Sequence, residues 1–235
     1  MVALMLEQPP LLTIRRGFDR PTADVVAAFA RAESAQVADA QGGGGALDAS
    51  VQALPAIPFE HTIAGPALTC ETGPADVLAA LASLEIARPG DVLLIATGGW
   101  TGTASIGDLF AGAARNAGIA AIVTDGAVRD VDGLARVGVP VFAAGLTPAS
   151  PASSGPGAVG LPIVIGGLQV AAGDVVVCDR TGVVVVPQGR ATEVAASLQR
   201  VLELEAAQAE RVAAGQVVPD AIRELLASDR VRWVD

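Results

Sequence analysis

Three charged residues near the middle of the chain have side chains that could bind and activate a small acidic substrate. Asp108 stands at the start of an amphipathic segment, and Arg129 and Asp130 follow after twenty intervening residues. A guanidinium can pair with a carboxylate and stabilise a developing enolate oxygen. The Asp130 carboxylate is a hard ligand suited to Mg²⁺ or Mn²⁺, and Asp108 could orient a metal-associated water as a proton shuttle.

The segments around these residues predict a strand–helix–strand unit. VLLIA at 92–96 has the length and composition of a buried strand, and TGGWTGTASI at 97–106 is a loop. DLFAGAARNAG at 108–118 is an amphipathic helix that ends at a glycine, and IAAIVTDG at 119–126 is the next strand. The order predicts a central βαβ unit.

This topology should bring the charged residues together. A crossover helix runs antiparallel to its two strands, so its first residue lies at their carboxyl edge, where open α/β sheets bind ligands. Asp108 begins the helix, and Arg129 and Asp130 lie just beyond the second strand. Free N–H groups at the helix start can receive a substrate carboxylate. The predicted binding segment consists of Gly107, Asp108, Leu109 and Phe110.

Each residue also has a structural explanation. Asp108 could serve only as the acid of a helix N-terminus, and Asp125-Gly126 could be an ordinary turn. Arg129-Asp130 could be a solvated pair in a loop. Gly98-Gly99-Trp100 could shape the pocket or form a plain turn with a packed indole. Residue type and spacing alone leave these alternatives open.

The rest of the chain alternates further helices and strands. Further helices are predicted at 21–40, 74–87, 131–138, 190–214 and 219–228. Further strands are predicted at 61–70, 140–145, 161–170, 174–179 and 181–187. The Gly-, Pro- and Ser-rich stretch 147–160 predicts a surface loop with no chemical group of interest.

Composition and charge exclude several classes of protein. The net charge is −10, and all 15 basic residues are arginines. An acidic surface argues against a nucleic-acid binder, and without lysine no side-chain amine can form a Schiff base. The apolar N-terminus lacks a basic leader, and no uninterrupted apolar stretch is long enough to cross a membrane. We therefore expect a cytoplasmic protein without a membrane partner.

Cysteine and histidine offer little further chemistry. Cys70 and Cys178 lie in apolar runs without disulfide or metal spacing, which predicts buried reduced thiols. His61 is the only histidine, so no His-based triad is expected. It is better explained as a structural or surface residue.

The pattern of Asp108, twenty residues and then Arg129-Asp130 resembles the signature of the RraA-like family. That family includes 4-hydroxy-4-methyl-2-oxoglutarate aldolases that also decarboxylate oxaloacetate. The resemblance extends over most of the chain, and its most specific part is GDLFAGAARNAGIAAIVTDGAVRD at 107–130. The other matching segments are IAGPALT (63–69), RPGDVLLI (88–95), GVPVFAAGLTP (138–148) and IGGLQVAAGDVVVCDRTGVVVVP (165–187).

The resemblance implies an α/β fold, an α/β/β/α sandwich of the swivelling β/β/α type that assembles as a homotrimer or homohexamer. It predicts a single domain over 1–235, with an N-terminal extension at 1–20. A C-terminal helical segment at 190–235 would contact a neighbouring subunit, because active sites in this family lie between subunits.

The same resemblance implies a role for each site residue. Asp130 would bind the metal mostly through waters, and Arg129 would contact the pyruvyl part of the substrate. Amides from Asp108 to Phe110 would hold its carboxylate, and Asp108 would position the acid–base water. A glutamate from the neighbouring subunit, Glu205 or Glu203, would complete the outer metal shell, unless both are simply exposed helix charges.

These roles imply a divalent-metal-dependent, class II lyase that cleaves 4-hydroxy-2-oxo acids to pyruvate. Deprotonation of the C4 hydroxyl breaks the C3–C4 bond and leaves a metal-stabilised pyruvate enolate, which loss of carbon dioxide from oxaloacetate would also produce. The alternative is a non-catalytic regulator that binds ribonuclease E or another protein. The presence of Asp108, Arg129 and Asp130 favours the enzyme.

Overall fold

The computed structural model describes residues 10–234. Helices occupy seven segments of the described chain: α1 Ala23–Phe29, α2 Ser34–Ala40, α3 Leu78–Ser83, α4 Asp108–Asn116, α5 Val131–Val137, α6 Ala191–Ala213 and α7 Asp220–Leu226. A 3₁₀ turn at Gln188–Arg190 precedes α6. The strands are β1 Leu12–Ile14, β2 Gln52–Ala53, β3 Ile63–Thr72, β4 Val92–Ala96, β5 Ala104–Ile106, β6 Ala121–Thr124, β7 Ala127–Val128, β8 Val141–Ala143, β9 Gly145–Leu146, β10 Gly157–Val159, β11 Ile163–Ile165, β12 Leu168–Val170, β13 Val175–Asp179 and β14 Gly182–Val186.

The chain forms two compact units, Met1–Leu198 and Gln199–Asp235. The first contains the sheets and the helices up to the start of α6. The second contains the rest of α6, together with α7. The prediction of one domain over 1–235 stays a prediction, as does the subunit contact of 190–235. Of the predicted N-terminal extension at 1–20, residues 1–9 lie outside the described residues.

The largest sheet contains the predicted βαβ unit. Its strands run in the order β1-β10-β3-β4-β6-β8-β2, and β3, β4, β6 and β8 are parallel neighbours. Helix α3 connects β3 to β4, and α4 lies between β4 and β6 in the chain. The strand at 92–96 has the predicted bounds, and the predicted helix at 108–118 ends two residues earlier, at Asn116. The βαβ prediction is confirmed.

Two apolar clusters divide the first unit into layers. On one face of the sheet, buried side chains of α3, α4 and α5 pack against strand residues such as Leu68 and Ile122. The other face buries Leu94 and Val123 against the hairpin strands β11 to β14, among them Ile165. Helix α2 packs on the outside of β13 and β14. This is the predicted α/β/β/α arrangement.

Strand β3 joins the two β layers because it is long enough to pair with both. Its first half pairs antiparallel with β13, from Ile63 to Pro66, and its second half pairs parallel with β4, from Ala67 to Glu71. Val175–Asp179 pairs in turn with Gly182–Val186 as an antiparallel hairpin. The predicted strands at 174–179 and 181–187 are therefore confirmed.

A small parallel sheet lies beyond the carboxyl ends of β4 and β6. Its strands are β5, β7 and β9, each of only two or three residues, and Ala127 pairs with both Ala104 and Gly145. The prediction of an unbroken loop at 97–106 was therefore wrong at its end, where β5 begins. Strands this short show no alternating pattern, so their partners decide their structure rather than their own sequence.

The stretch 147–160 is not the featureless loop that its composition predicts. Its last residues form β10, which pairs with β3 on one side and β1 on the other. Asp76 accepts hydrogen bonds from the backbone N–H groups of Ser154 (2.6 Å) and Gly155 (2.9 Å). This segment is tied to the main sheet, and it also reaches the candidate site.

Among residues 10–234, no helix combines the length and the apolar character needed to cross a membrane.

Candidate active site

The N-terminus of α4 forms one wall of the candidate site. Gly107 follows β5 in an extended conformation and stands directly before α4, so no side chain caps the helix. The first N–H groups of a helix have no partner within it, and the helix dipole makes them attractive to anions. The amides of Asp108, Leu109 and Phe110 are therefore placed to bind a carboxylate.

Arg129 and Asp130 form the opposite wall. The Arg129 backbone N–H donates to the carbonyl of Ile106 (3.1 Å), which places the pair against the end of β5. The Arg129 Nε lies 3.3 Å from the Asp130 Oδ2, with the two side chains 36% and 43% exposed. Both groups are therefore held at the site while remaining open to a ligand.

Asp130 has an unusual backbone conformation. Its φ of 60° and ψ of 45° lie in the left-handed region, and it caps α5, where its carbonyl accepts the Leu134 N–H (2.8 Å). A non-glycine residue in a sparsely populated region costs about 1–3 kcal/mol, although aspartate tolerates this one better than most residues. Such backbone strain is typical of functional sites.

Two glycines allow the walls to approach each other. A Cβ atom at Gly107 would collide with the Asp130 carboxylate and would lie 3.2 Å from the Arg129 Cγ. A Cβ atom at Gly133, in α5, would collide with the Asp108 carboxylate. The structure thus brings Asp108, Arg129 and Asp130 to one place, as the topology predicted. Their chemical roles stay predictions.

Two shallow pockets flank the charged pair. One, of about 130 Å³, lies between the start of α4 and Arg129-Asp130, and the other, of about 320 Å³, lies between the same pair and residues 146–148. The Phe110 side chain is only 7% exposed and belongs to the core, whereas Leu109 is 87% exposed. A ligand at this site would therefore contact the backbone N–H of Phe110 and not its ring.

Asp125, at the end of β6, is a buried acid that organises the neighbouring loop. It accepts hydrogen bonds from the Thr97 N–H (2.7 Å), the Thr97 hydroxyl (3.0 Å) and the Gly99 N–H (3.1 Å). The Trp100 N–H donates to the Thr97 hydroxyl (3.1 Å), and its indole Nε1 donates to Thr103 (3.1 Å). Asp125 thus does more than form a turn, because it holds the loop in front of the sheet edge.

We expect Asp125→Asn to lower the free energy of unfolding by about 2 kcal/mol, because an amide nitrogen would replace one acceptor and leave a buried N–H unpaired. Urea denaturation followed by circular dichroism measures this change. Asp39→Asn is the matched control, since Asp39 is an exposed acid and its replacement should stay within about 0.5 kcal/mol of the original protein. Equal effects of the two substitutions would contradict the role of Asp125.

Ser150 is a site residue that the sequence did not indicate. The Arg129 Nη1 donates to its Oγ at 2.6 Å, from the stretch predicted to carry no group of interest. That prediction was wrong, because a serine in a Ser-rich loop gives no signal of its own. Hydrogen bonds between this loop and the small sheet bring Ser150 to Arg129.

The remaining predicted residues lie elsewhere in the fold. Glu203 and Glu205 are exposed on α6 within the second unit, and their part in a neighbouring subunit's metal shell stays a prediction. Cys70 and Cys178 are buried free thiols, as predicted, and burial raises the pKa of both. His61 is exposed and lines a separate pocket with Glu60 and Arg180.

Comparison with known proteins places this geometry in a family. Residues 34–185 match the model of the RraA-like family, described as Aldolase/RraA. The chain is 38% identical over 128 residues to a protein of Halalkalibacterium halodurans provisionally named 4-hydroxy-4-methyl-2-oxoglutarate aldolase, covering 54% of this chain and 61% of that protein. It is 34% identical over 105 residues to a Thermus thermophilus protein named 4-hydroxy-4-methyl-2-oxoglutarate aldolase, covering 45% and 64%. The chain thus spans about three fifths of the length of these curated relatives.

A solved structure agrees with the same family. Streptomyces coelicolor RraAS2, described as an unusual member of the RNase ES inhibitor RraA protein family, is 31% identical and superposes with a TM-score of 0.72. The match covers 82% of this chain and 100% of that one. The range that matches the family model, 34–185, contains Asp108, Arg129 and Asp130. The chain therefore belongs to the RraA-like family.

Proposed function

We propose that this protein is a divalent-metal-dependent lyase that cleaves 4-hydroxy-2-oxo acids of the 4-hydroxy-4-methyl-2-oxoglutarate type to pyruvate, and that it decarboxylates oxaloacetate. The observation that carries the proposal is the meeting of an uncapped helix start with Arg129 and Asp130, whose carboxylate lies where a side chain at position 107 would stand. The names of the two aldolase relatives support it.

The substrate fits this arrangement through its 2-oxo acid group. The amides at the start of α4 bind the carboxylate, and the Arg129 guanidinium donates to the 2-oxo oxygen. Removal of the proton from the 4-hydroxyl then breaks the C3–C4 bond, and the electron pair moves to the oxygen that faces Arg129. Because the donors are already in place, the enolate oxygen is stabilised without rearrangement of the site. Asp108 orients the water that takes up and returns the proton.

The donors at Asp130 are suited to Mg²⁺ or Mn²⁺. Within residues 10–234, no three acidic, histidine or cysteine side chains form a ready metal cage. Mg²⁺ commonly keeps several waters and uses one or two carboxylates, so a single exposed carboxylate fits it better than it would fit zinc. A bound cation would add electrostatic stabilisation of the 2-oxo group. Glu205 or Glu203 of a neighbouring subunit would complete the outer shell.

We further propose that the protein is a cytoplasmic homotrimer or homohexamer. Apolar side chains flank the site on the described chain, with Leu109 87% and Leu146 59% exposed. Large apolar residues exposed beside a polar site are typical of surfaces that a partner covers. Light scattering after size-exclusion chromatography measures the mass of the assembly.

The test of the proposed function is pyruvate release from oxaloacetate and from 4-hydroxy-4-methyl-2-oxoglutarate, with Mg²⁺, with Mn²⁺ and with EDTA. We expect turnover with either metal and its loss with EDTA. The lyase proposal fails if neither substrate is turned over with metal present.

The second candidate function is a regulator that binds a ribonuclease, which the similarity to the Streptomyces coelicolor RNase ES inhibitor favours. Metal-independent binding to ribonuclease E, measured by surface plasmon resonance in a protein without lyase activity, would support it instead. Arg129→Ala distinguishes the two functions, because it should abolish catalysis while leaving most of a protein-binding surface intact.

A further inference from the structure

The guanidinium of Arg129 is held from two sides. Its Nη1 donates to the Ser150 Oγ at 2.6 Å, and its Nε lies 3.3 Å from the Asp130 carboxylate. Among residues 10–234, Nη2 of Arg129 donates no hydrogen bond, so that nitrogen keeps its donors for a ligand. The side chain is thus oriented before any substrate binds.

The loop that carries Ser150 is itself anchored on both sides. On one side, the Ala104 N–H donates to the carbonyl of Ala149 (2.9 Å), and the Thr147 N–H donates to the carbonyl of Val128 (3.0 Å). Ser150 therefore follows a residue that is fixed to β5, close to where β5 leads into the start of α4. Its position is set by backbone contacts with the small sheet.

On the other side, Asp76 fastens the loop to the start of α3. The Ala152 N–H donates to the carbonyl of Ala75 (2.7 Å), and the Val77 N–H donates to the carbonyl of Ala152 (2.9 Å). Asp76 is 6% exposed and accepts the N–H groups of Ser154 (2.6 Å) and Gly155 (2.9 Å). Burial opposes ionisation of Asp76, but the hydrogen bonds from Leu78, Ser154 and Gly155 together outweigh it and lower the pKa of Asp76.

We propose that Ser150 is a positioning residue for Arg129 and that the Asp76 contacts hold Ser150 in place. The inference rests on the proposed function, in which Arg129 binds the 2-oxo group. An arginine side chain that moves freely loses about 2 kcal/mol of rotamer entropy when it binds a ligand. An arginine that is already held in place has less entropy to lose, and it therefore binds its ligand more tightly. A serine hydroxyl is also neutral, so it orients the guanidinium without cancelling the charge that the substrate needs.

The first measurement tests the contact between Arg129 and Ser150 in the protein without substrate or metal. ¹⁵N relaxation of the Arg129 Nε–H group, assigned by its absence from Arg129→Lys, reports how rigid the side chain is. We expect the order parameter to fall in Ser150→Ala and to be largely restored in Ser150→Thr, which keeps the hydroxyl. Ser153→Ala is the matched control, because Ser153 is exposed in the same loop and should leave Arg129 unchanged. An unchanged order parameter in Ser150→Ala would overturn the inference, whatever the enzyme assay shows.

The second measurement is the affinity for oxalate, a planar dianion similar to the pyruvate enolate, by calorimetry with Mg²⁺ present. We expect Ser150→Ala to weaken binding about tenfold, the lower end of the loss typical of outer-shell partners. In the oxaloacetate assay the same variant should lower kcat/KM with a larger change in KM than in kcat. Ser150→Thr should recover most of both losses, and a failure to recover them would contradict a role of the hydroxyl.

A double-mutant cycle tests the part played by Asp76. If Asp76 acts through Ser150, Asp76→Asn should weaken oxalate binding in the original protein but have little further effect in Ser150→Ala. Additive losses would overturn this part of the inference. Should Asp76→Asn not fold, the Ser150 series still decides the role of the hydroxyl. If the original protein binds oxalate but releases no pyruvate, the lyase proposal fails while the positioning of Arg129 remains testable by NMR and calorimetry.

Discussion

Arg129→Ala should lower kcat/KM for oxaloacetate and for 4-hydroxy-4-methyl-2-oxoglutarate by about a thousandfold, the upper end of what loss of an oxyanion donor costs. The smaller of the two flanking pockets lies beside the uncapped start of α4. Among the described residues that line it, Arg129 is the only cation. The enolate oxygen would then lose its charged donor, whereas the amides of α4 could still bind the carboxylate. Steady-state pyruvate release measures the effect.

Arg129→Lys separates charge from geometry. A lysine keeps the positive charge but cannot reach Ser150 and the substrate with a planar fork, so we expect an intermediate loss. Arg136→Ala is the control, since Arg136 is an exposed arginine in the last turn of α5. It should retain activity within about twofold, as is usual for surface substitutions without a named partner. A similar loss in Arg136→Ala and Arg129→Ala would contradict the assigned role.

Gly107→Ala should reduce kcat/KM by about a hundredfold, the cost expected when a catalytic group moves by about 1 Å. Its new methyl group would collide with the Asp130 carboxylate and press on the Arg129 side chain. Because the Asp130 carboxylate is the outer end of a partly exposed side chain, we expect it to turn away from the new methyl group and leave its place beside Arg129. The expected result is a folded protein with a displaced site.

Gly112→Ala is the matched control, because it makes the same change within the same helix. A Cβ atom at Gly112 would meet nothing within 4 Å. Alanine is favoured over glycine inside a helix by about 1 kcal/mol, so Gly112→Ala should raise the melting temperature slightly and keep full activity. The prediction for Gly107 is wrong if both variants are fully active, or if Gly107→Ala loses activity only because it unfolds.

The two predictions concern different properties of one site. Arg129→Ala removes the guanidinium group and leaves the neighbouring residues in place. Gly107→Ala keeps every charged group but fills part of the space between the two walls of the site. If both fail to affect the reaction, the convergence of α4 with Arg129-Asp130 is structural. The regulator would then be the better explanation of the RraA-like fold in this chain.

The βαβ unit could be predicted because its elements have the length that makes a pattern visible. Five apolar residues at 92–96 and an amphipathic helix from Asp108 are recognisable on their own. A crossover helix runs antiparallel to its strands, so the helix must start at the carboxyl edge of the sheet. The meeting of Asp108 with Arg129 follows from this topology, although nothing in their spacing of twenty residues is periodic.

The small sheet and the partners of Arg129 could not be predicted in this way. Strands β5, β7 and β9 contain two or three residues each, too few to show alternation, and they exist because they pair with one another. Asp125 was predicted as a turn residue. The N–H groups that donate to it belong to Thr97 and Gly99, which are more than twenty residues away in the chain and cannot be paired with it from the sequence. Asp76 and the loop at 152–155 are separated by nearly eighty residues.

The sequence by itself predicted which residues could carry the chemistry and which element begins at Asp108, because residue type and helical periodicity are local properties. Only the tertiary structure decided how Arg129 is oriented, through Ser150 on one side and Asp130 on the other. It also decided that the Asp130 carboxylate lies where a Cβ atom at position 107 would stand, because this contact depends on how the segment after β5 lies against the start of α5. Contacts between distant segments arise from packing and hydrogen bonding in the folded chain, and they leave no local pattern from which to predict them.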